Sequence, residues 1–323
     1  MIARRGLFGV IAIPALLAAR KSDAATYPDR PVRIIVPYSP GGANDILARL
    51  YGQKLSERLG QPFVVENRPG AQAIVGTEAA ARSRADGMTL LLGASGPIVF
   101  NPATYVQLPY DPVKDFAPVS LLASFPLVLV VAATSPHRTV AQLVTWAKAN
   151  PDQANYGASA ASFQLPTELF NQRAGTRFQY IAYRGSADSV NAVANGEVAI
   201  ALVDTGPASV AIGADRVRPL AVTSAQRVAA YPDVPTMKEL GYAGMEATLW
   251  SGLLAPATTP RPIVDRLHAE CVAITALPEM RERLRTLVMD PVASDPETFQ
   301  DIVVREIATW SAVARDANIR LER

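Results

Sequence analysis

The sequence predicts an α/β protein of two domains, each built around a largely parallel sheet. Short β-branched segments alternate with amphipathic segments along most of the chain, a pattern typical of parallel strands joined by crossover helices. A length of 323 residues is that of two domains of ordinary size. The 26 prolines and 20 glycines exclude a coiled coil or another long-helix architecture.

The N-terminal segment has the three parts of a secretory signal. Arg4-Arg5 precedes an apolar run over residues 7–19, and small residues follow at Ser22-Asp23-Ala24. The run is shorter than the roughly 20 residues that span a bilayer. We expect cleavage after Ala24 or Ala25, so residues 1–24 form the signal peptide. The arginine pair leaves the twin-arginine route open beside the general secretory route.

The charge of the chain changes when this segment is removed. Residues 1–24 hold four basic residues and one acidic residue, which leaves 27 Lys and Arg against 28 Asp and Glu. The absence of a polybasic block argues against a nucleic-acid partner. One cysteine and two distant histidines supply no metal-ligand pattern, so we expect neither metal nor cofactor. A bound anion must therefore be held by a local field.

The first half of the mature chain reads as strand, helix, strand, helix, strand. Residues 32–36 form a β-branched run that ends at Pro37. Apolar residues at helical spacing then continue to Leu59, and Gly60 stands where a C-cap glycine belongs. The turn residues 67–70 separate the next strand from the next helix. The predicted elements are strands at 32–36, 63–65 and 88–92, and helices at 46–59 and 77–85.

A second α/β pattern follows the most apolar stretch, residues 121–133, which we interpret as a strand passing between the two domains. Thr139 is placed to cap a helix that Pro151 prevents from continuing. The predicted elements are strands at 178–183, 198–203 and 218–223, and helices at 140–149, 186–195, 262–276, 278–287 and 296–317.

Both halves contain a strand, a glycine turn and a helix N-terminus in succession. In the first half the turn is Pro40-Gly41-Gly42, and in the second it is Tyr183-Arg184-Gly185. Backbone N–H groups point outward at a helix N-terminus, where the helix dipole adds about half a positive charge. Two such ends facing each other across a cleft would hold an anion without a lysine cluster. Asp45 and Asp188 lie in the first turns of these helices, where an acidic residue caps more often than it binds a ligand.

Two further serine loops are candidates for chemistry. Gly157-Ala158-Ser159-Ala160-Ala161 is close to the GxSxG nucleophile elbow but lacks its last glycine, and a triad would need His268. A periplasmic serine hydrolase is therefore the weakest hypothesis. Ser95 follows a strand and could donate N–H and hydroxyl groups to a carboxylate, although a tight turn explains it equally well. Tryptophans such as Trp250 are more often core residues than ligand platforms.

Several motifs together closely resemble the mature Bug-type solute-binding receptors of tripartite tricarboxylate transporters. The resemblance extends in order over nearly the whole mature chain. Its motifs are residues 27–32 (Tyr-Pro-Asp-Arg-Pro-Val), 36–42 with Asp45, 65–70 (Val-Glu-Asn-Arg-Pro-Gly), 86–87, 183–185, 220–224 and 232–236.

The resemblance implies a type II periplasmic binding-protein fold, in which two α/β lobes joined by two crossing strands close on a carboxylate. The implied lobes are residues 25–123 with 224–323, and residues 124–223. In the family, the loops that correspond to residues 39–44 and 183–186 grip one ligand carboxylate, largely through backbone N–H groups and ordered water. The implied ligand-binding residues, with neighbours that we add, are Tyr38, Ser39, Pro40, Gly41, Gly42, Asn44, Asp45, Ser95, Ser159, Gln164, Tyr183, Arg184, Gly185, Ser186 and Asp204.

Two positions depart from the family pattern. Gln164 stands where histidine is usual, after a slightly shorter loop, and Phe163 adds apolar surface, so we expect the far end of the ligand to be neutral or partly apolar. Asn44 replaces a small residue and adds an amide to the pocket.

The sequence thus predicts a monomeric periplasmic receptor that catalyses no reaction. We expect it to capture a small organic carboxylate and to deliver it to the membrane subunits of a secondary transporter. A ligand-binding co-receptor for a two-component sensor kinase uses the same fold and stays open as the alternative.

Overall fold

A computed structural model describes residues 27–321 of the chain. The predicted signal peptide, residues 1–24, lies outside the described residues. Within residues 27–321, no helix has the length and apolar character needed to cross a membrane.

One long strand, β4 (Phe116–Ala132), runs through both halves of the molecule. Up to Pro126 it pairs antiparallel with β9 (Thr248–Pro256), and from Leu127 onward it pairs with β7 (Ala201–Asp204) and β8 (Val217–Val222). β4 begins at Phe116, five residues before the strand start predicted at residue 121. A register shift between Pro118 and Ser120 accommodates the proline within the pairing with β9.

The first lobe is a sheet covered by helices on both faces. Beside β4 and β9, its strands are β1 (Val32–Val36), β2 (Phe63–Asn67), β3 (Thr89–Ala94) and β10 (Asp290–Pro291). Their order is β10-β4-β9-β3-β1-β2, and β1, β2 and β3 run parallel. Successive residues of β1 face opposite sides, so Ile34 and Ile35 belong to different apolar clusters. The helical elements of this lobe are α1 (Ala43–Leu59), α2 (Ile74–Ala81), a helical turn at Gly96–Phe100, α3 (Asn101–Thr104), α8 (Arg261–Thr275), α9 (Pro278–Thr286) and α10 (Pro296–Asp316).

The second lobe extends from the other half of β4. A third apolar cluster joins α6 (Ser186–Asn195) and α7 (Thr205–Gly213) to β4, β7 and β8. Its further elements are α4 (Val140–Ala149), β5 (Asn155–Ala158), α5 (Ala161–Ala174), β6 (Gln179–Ala182), α6 (Ser186–Asn195) and α7 (Thr205–Gly213). The lobe boundaries implied by the sequence remain a prediction, and the change of partner along β4 after Pro126 lies close to one of them.

The structure corrects two sequence predictions on local structure. The second helix was predicted at 77–85, but α2 spans Ile74–Ala81, because Ala71, Gln72 and Ala73 form a left-handed turn that starts the helix three residues earlier. The strand predicted at 198–203 is shorter, since Ile200 makes an isolated bridge to Tyr156 and β7 begins at Ala201. The sequence analysis did not predict α3, β5, α5, α7, β9 or β10.

Glycine at position 76 lets α2 approach the loops that follow β1 and β2. A Cβ atom there would lie 2.7 Å from the backbone oxygen of Arg68 and 2.8 Å from Cα of Pro37. We therefore expect Gly76→Ala to lower the free energy of unfolding by about 1–3 kcal/mol, the usual cost of overpacking, measured by urea unfolding. Gly213→Ala is the matched control, because a Cβ at this helical position meets no atom within 4 Å. Equal losses in both variants would contradict the close approach.

Candidate functional site

A cavity of about 490 Å³ lies between the lobes, within the usual range for small-molecule sites. The carboxyl ends of β1, β2 and β3 open toward it from the first lobe, as expected for ligand sites in parallel sheets. The first lobe contributes residues 37–39, 42–44, 69–73, 94–96, 100–101 and 249–251; the second contributes residues 160–163, 186 and 204; Phe125 belongs to the strand shared by both.

Five helices of eight or more residues begin in the wall of this cavity. The wall contains the N-cap or first residues of α1, α2, α5, α6 and α7, namely residues 42–44, 73, 160–162, 186 and 204. Each helix N-terminus carries unpaired N–H groups and about half a positive charge. Among the cavity residues that the structure describes, no side chain is basic. Backbone groups therefore supply the positive potential in this cleft.

The glycine loop after β1 is held in place by Asp45. Gly41 adopts a left-handed conformation with φ +86°, and its N–H donates to Asp45 Oδ2 at 2.9 Å. Asn67 Nδ2 donates to Asp45 Oδ1 at 2.9 Å, and Arg49 forms an ion pair with the same carboxylate. The side chain of Asp45 is thus fully engaged within the first lobe.

The partners of Asp45 decide its charge. Burial alone would raise the pKa of Asp45, but hydrogen bonds from Arg49, Gly41 and Asn67 outweigh it and lower the pKa to about 2. Asp45 is therefore ionised and neutralised by Arg49. It fixes the loop so that Gly42, Ala43 and Asn44 reach the cavity, whereas Pro40, Gly41 and Asp45 are not part of the wall.

The loop of the second lobe reaches the cavity through its last residue. Of the four residues predicted there, Ser186 lines the wall. The Tyr183 N–H donates to Ala158 O at 3.0 Å, and its ring packs against Gly157, where a Cβ would lie 3.0 Å from Tyr183 Cε2. Arg184 is exposed, and Gly185 is the N-cap residue of α6.

Hydrogen bonds fix the positions of several side chains in the cavity wall. The Ser251 hydroxyl donates to Asn44 Oδ1, which leaves the donor end of this amide as its remaining polar group. The buried hydroxyl of Ser95 accepts from the backbone N–H of Trp250 at 3.4 Å. The Trp250 indole N–H donates to Glu306 Oε2 at 2.8 Å, and burial raises the pKa of Glu306 to about 7. Burial also raises the pKa of the Tyr38 hydroxyl.

Two predicted residues of the α5 region lie outside the wall. Gln164 is not part of the wall, and its side chain lies beside Tyr156, whose hydroxyl donates to Glu168 at 2.6 Å. Ser159 lies between β5 and α5, whereas His268 lies on α8 of the first lobe, where it interacts with Asp295. The wall instead contains Phe163, as the apolar surface predicted at this position.

Sequence reasoning missed much of the wall. Residues 67–70 were recognised as a turn and not as part of a site, and residues 71–73 received no assignment, although residues 69–73 line the cavity between a strand and a helix. Trp250 was assigned to the core; it is 3% exposed and still lines the cavity. Phe100, Asn101 and Phe125 carry no local signal, because their positions depend on how β4 and the helical turn at Gly96–Phe100 pack.

Residues 47–319 match the family model described as the tripartite tricarboxylate transporter family receptor. The chain belongs to this family. It is 36% identical to a UPF0065 protein from the tcbD-tcbE intergenic region of Pseudomonas sp. strain P51 (95% of this chain, 92% of the relative). It is 34% identical to the protein BugT of Bordetella pertussis, with 98% of each chain covered.

Solved structures show the same fold. The R. palustris protein Rpa4515, determined with adipate, is 34% identical and superposes with a TM-score of 0.82 over 92% of this chain and all of its own. MatC from Rhodopseudomonas palustris, determined with bound malate, is 28% identical, with a TM-score of 0.76 over 89% of this chain and 99% of its own. The two-lobed architecture is therefore the periplasmic binding-protein fold predicted from the sequence motifs.

The stabilisation that Asp45 provides to the folded protein depends on pH. Because the pKa of Asp45 is about 2 instead of the ordinary 3.8, its ionised form stabilises the folded protein by about 2 kcal/mol above pH 4. This stabilisation is lost as the pH falls toward 2. We expect Asp45→Asn to lower the free energy of unfolding by this amount at pH 7, and the difference from wild type to shrink between pH 4 and pH 2 in urea titrations.

The matched control is Asp188→Asn, which removes an exposed first-turn acid from α6. Surface changes of this kind are usually worth less than about 0.5 kcal/mol. A loss at Asp45→Asn that is the same at pH 7 and pH 2.5 would show that the carboxylate charge is not what holds the loop.

Proposed function

We propose that the protein is an exported, periplasmic receptor that binds a small carboxylate and delivers it to the membrane subunits of a tripartite tricarboxylate transporter. The observation that carries this proposal is the cavity wall, where helix N-termini from both lobes meet and no residue described within 27–321 contributes a basic side chain. Membership of the receptor family and the adipate and malate found in two relatives support the same ligand class.

The proposed ligand contacts come from both lobes. Gly42, Ala43 and Asn44 offer N–H groups at the start of α1, and Ser186 offers its N–H at the start of α6. A carboxylate that bridges the two sets is satisfied fully in the closed form, so binding stabilises closure. Several charge-assisted hydrogen bonds, each worth roughly 1.5–3 kcal/mol, are needed for micromolar affinity.

The remaining parts of the proposal concern export, oligomeric state and delivery of the ligand. The N-terminal pattern supports export with cleavage after Ala24 or Ala25. The closed receptor would act as a monomer and present its ligand to the membrane subunits, and it would catalyse no reaction. A thermal-shift screen with mono- and dicarboxylates tests the ligand class, because a ligand at 100 times its Kd stabilises the protein by about 2.7 kcal/mol.

Proline substitution at the first residue of a helix tests the backbone contacts. Proline is favoured at this position and removes one N–H group. Ala43 and Ser186 each follow a residue in the extended conformation that proline requires before it. We expect Ala43→Pro and Ser186→Pro each to weaken the binding of the best carboxylate from the screen by about tenfold or more, measured by calorimetry, with urea unfolding unchanged.

The matched control for the second variant is Ser186→Ala, which keeps the N–H and removes the hydroxyl. If Ser186→Ala and Ser186→Pro weaken binding equally, the hydroxyl is the contact and the backbone hypothesis is wrong at this position.

Arg184 allows a separate test of side-chain against backbone recognition. It is exposed and absent from the cavity wall. We expect Arg184→Ala to change the Kd by less than about threefold, the small effect of a peripheral charge in water. Complete loss of binding in this variant would make the guanidinium group the main anchor of the ligand.

A further inference from the structure

Strand β6 forms an open edge of the second lobe. It pairs parallel with β5 on one side, and all four of its residues, Gln179–Ala182, are exposed. The N–H groups of Gln179 and Tyr183 donate to backbone carbonyls on the β5 side. Because the backbone groups of successive residues alternate in direction, those of Tyr180 and Ala182 point away from β5. Within residues 27–321, no strand pairs with this outer side of β6.

The other edge strands of the described sheets carry residues that discourage pairing with a foreign strand. Charged residues and proline have this effect on a sheet edge. They occur in β2, β8 and β10, as Glu66, Arg218-Pro219 and Asp290-Pro291. The sequence of β6 is Gln-Tyr-Ile-Ala, without charge or proline, and Tyr180 and Ile181 are each 41% exposed. Such an edge is suited to accept an added strand.

Two arginines flank this edge. Arg177 precedes β6 by two residues and Arg184 follows it by two, and both are exposed. Neither arginine forms an ion pair with a residue that the structure describes. A strand laid along β6 therefore passes a positive charge at each end, with the two charges at most about 25 Å apart along the chain. Charge complementarity requires acidic residues at both ends of that strand.

A second copy of this chain fits the edge poorly. In the antiparallel register that pairs Tyr180 of one copy with Ala182 of the other, each end of the two-stranded ribbon gathers Arg177 from one copy and Arg184 from the other. Like charges at short range repel each other. Charge therefore favours an acidic segment of another protein over self-pairing.

The edge adjoins the loop that we propose to hold the ligand. The chain passes from β6 through residues 183–185 to Ser186, which lines the cavity. A strand held on β6 would thus lie beside the start of α6. Among the partners considered above, the membrane subunit is the one that receives the ligand, so it is the partner expected to dock beside this loop.

We propose that β6 is a docking edge, on which an extended segment of a membrane subunit pairs as an added strand. The segment has β-branched or apolar residues opposite Tyr180 and Ile181, and an acidic residue near each of Arg177 and Arg184. The assignment to a membrane subunit rests on the proposed function, whereas the capacity of β6 to bind an acidic strand does not.

NMR titration of the isotope-labelled mature protein with a synthetic peptide tests the edge. The probe is Glu-Glu-Val-Thr-Val-Thr-Glu-Glu, blocked at both ends, which matches residues 177–184 in length and favours an extended conformation at its centre. The control peptide has lysine at every glutamate position. We expect the acidic peptide to shift amide resonances of β6 with a Kd of about 1 mM or tighter. The lysine peptide should bind at least about fivefold more weakly.

Four variants separate backbone pairing, local charge and general effects. Ala182→Pro removes an outward N–H group and keeps those that pair with β5, so it should abolish peptide binding. Arg177→Glu should weaken binding of the acidic peptide and strengthen binding of the lysine peptide. Gln179→Ala keeps every backbone group of β6, and Arg138→Glu makes the same charge change at an exposed arginine before α4; both should bind the acidic peptide as the wild type does. If urea unfolding shows that Ala182→Pro does not fold, Arg177→Glu carries the test.

Uptake of the best carboxylate by cells that carry the membrane subunits tests the source of the segment. We expect Ala182→Pro and Arg177→Glu to lower uptake by about tenfold or more, with the carboxylate Kd unchanged in calorimetry, and the two control variants to keep uptake. Normal uptake by both edge variants would contradict the assignment to a membrane subunit.

Other results would overturn the docking edge itself. These are an acidic peptide that leaves β6 resonances unshifted, equal binding of the acidic and lysine peptides, or a dimer in light scattering that Ala182→Pro dissociates, which would assign the edge to a second copy. Failure of the wild-type protein to bind any carboxylate would instead contradict the proposed function and leave the peptide result standing.

Discussion

The direction of parallel strands is the constraint on which the site depends. A helix that follows a parallel strand begins at the strand's carboxyl end, so the helix N-termini of one sheet gather at one edge. Strand β4 pairs with strands of both lobes, so the helix N-termini of both lobes border one cleft. The positive potential of the cavity is thus a product of chain topology, and it requires no lysine or arginine in the wall.

Such a site depends on backbone groups that are held rigidly. Asp45 provides that rigidity in the first lobe by accepting from Gly41, Asn67 and Arg49 at once. The low pKa of Asp45 and the neutralising Arg49 let a carboxylate side chain stand beside an anion site without repelling its ligand. Asp204 differs, because it lines the cavity and no basic side chain of the described wall pairs with it.

The sequence predicted the repeating strands and helices well where local signals were strong. Gly60 caps α1 and Thr139 caps α4 as expected, since both residues act through short-range backbone geometry. The predicted start of α2 was three residues too late, because the three residues before the helix adopt a left-handed conformation although none of them is glycine. Gln164 was expected in the pocket but is not part of the described wall; its side chain lies beside Tyr156, a proximity between α5 and β5 that no local pattern reveals.

By itself, the sequence determined the fold class, the family and the two glycine loops, because each depends on patterns of residues that lie close together along the chain. It also determined that any anion had to be held by a local field, since the mature chain has almost no net charge. Only the tertiary structure decided which residues of those loops reach the cavity and which support it. That choice depends on packing between distant segments, as when Asn67 binds Asp45 or Trp250 on β9 reaches the wall beside Ser95.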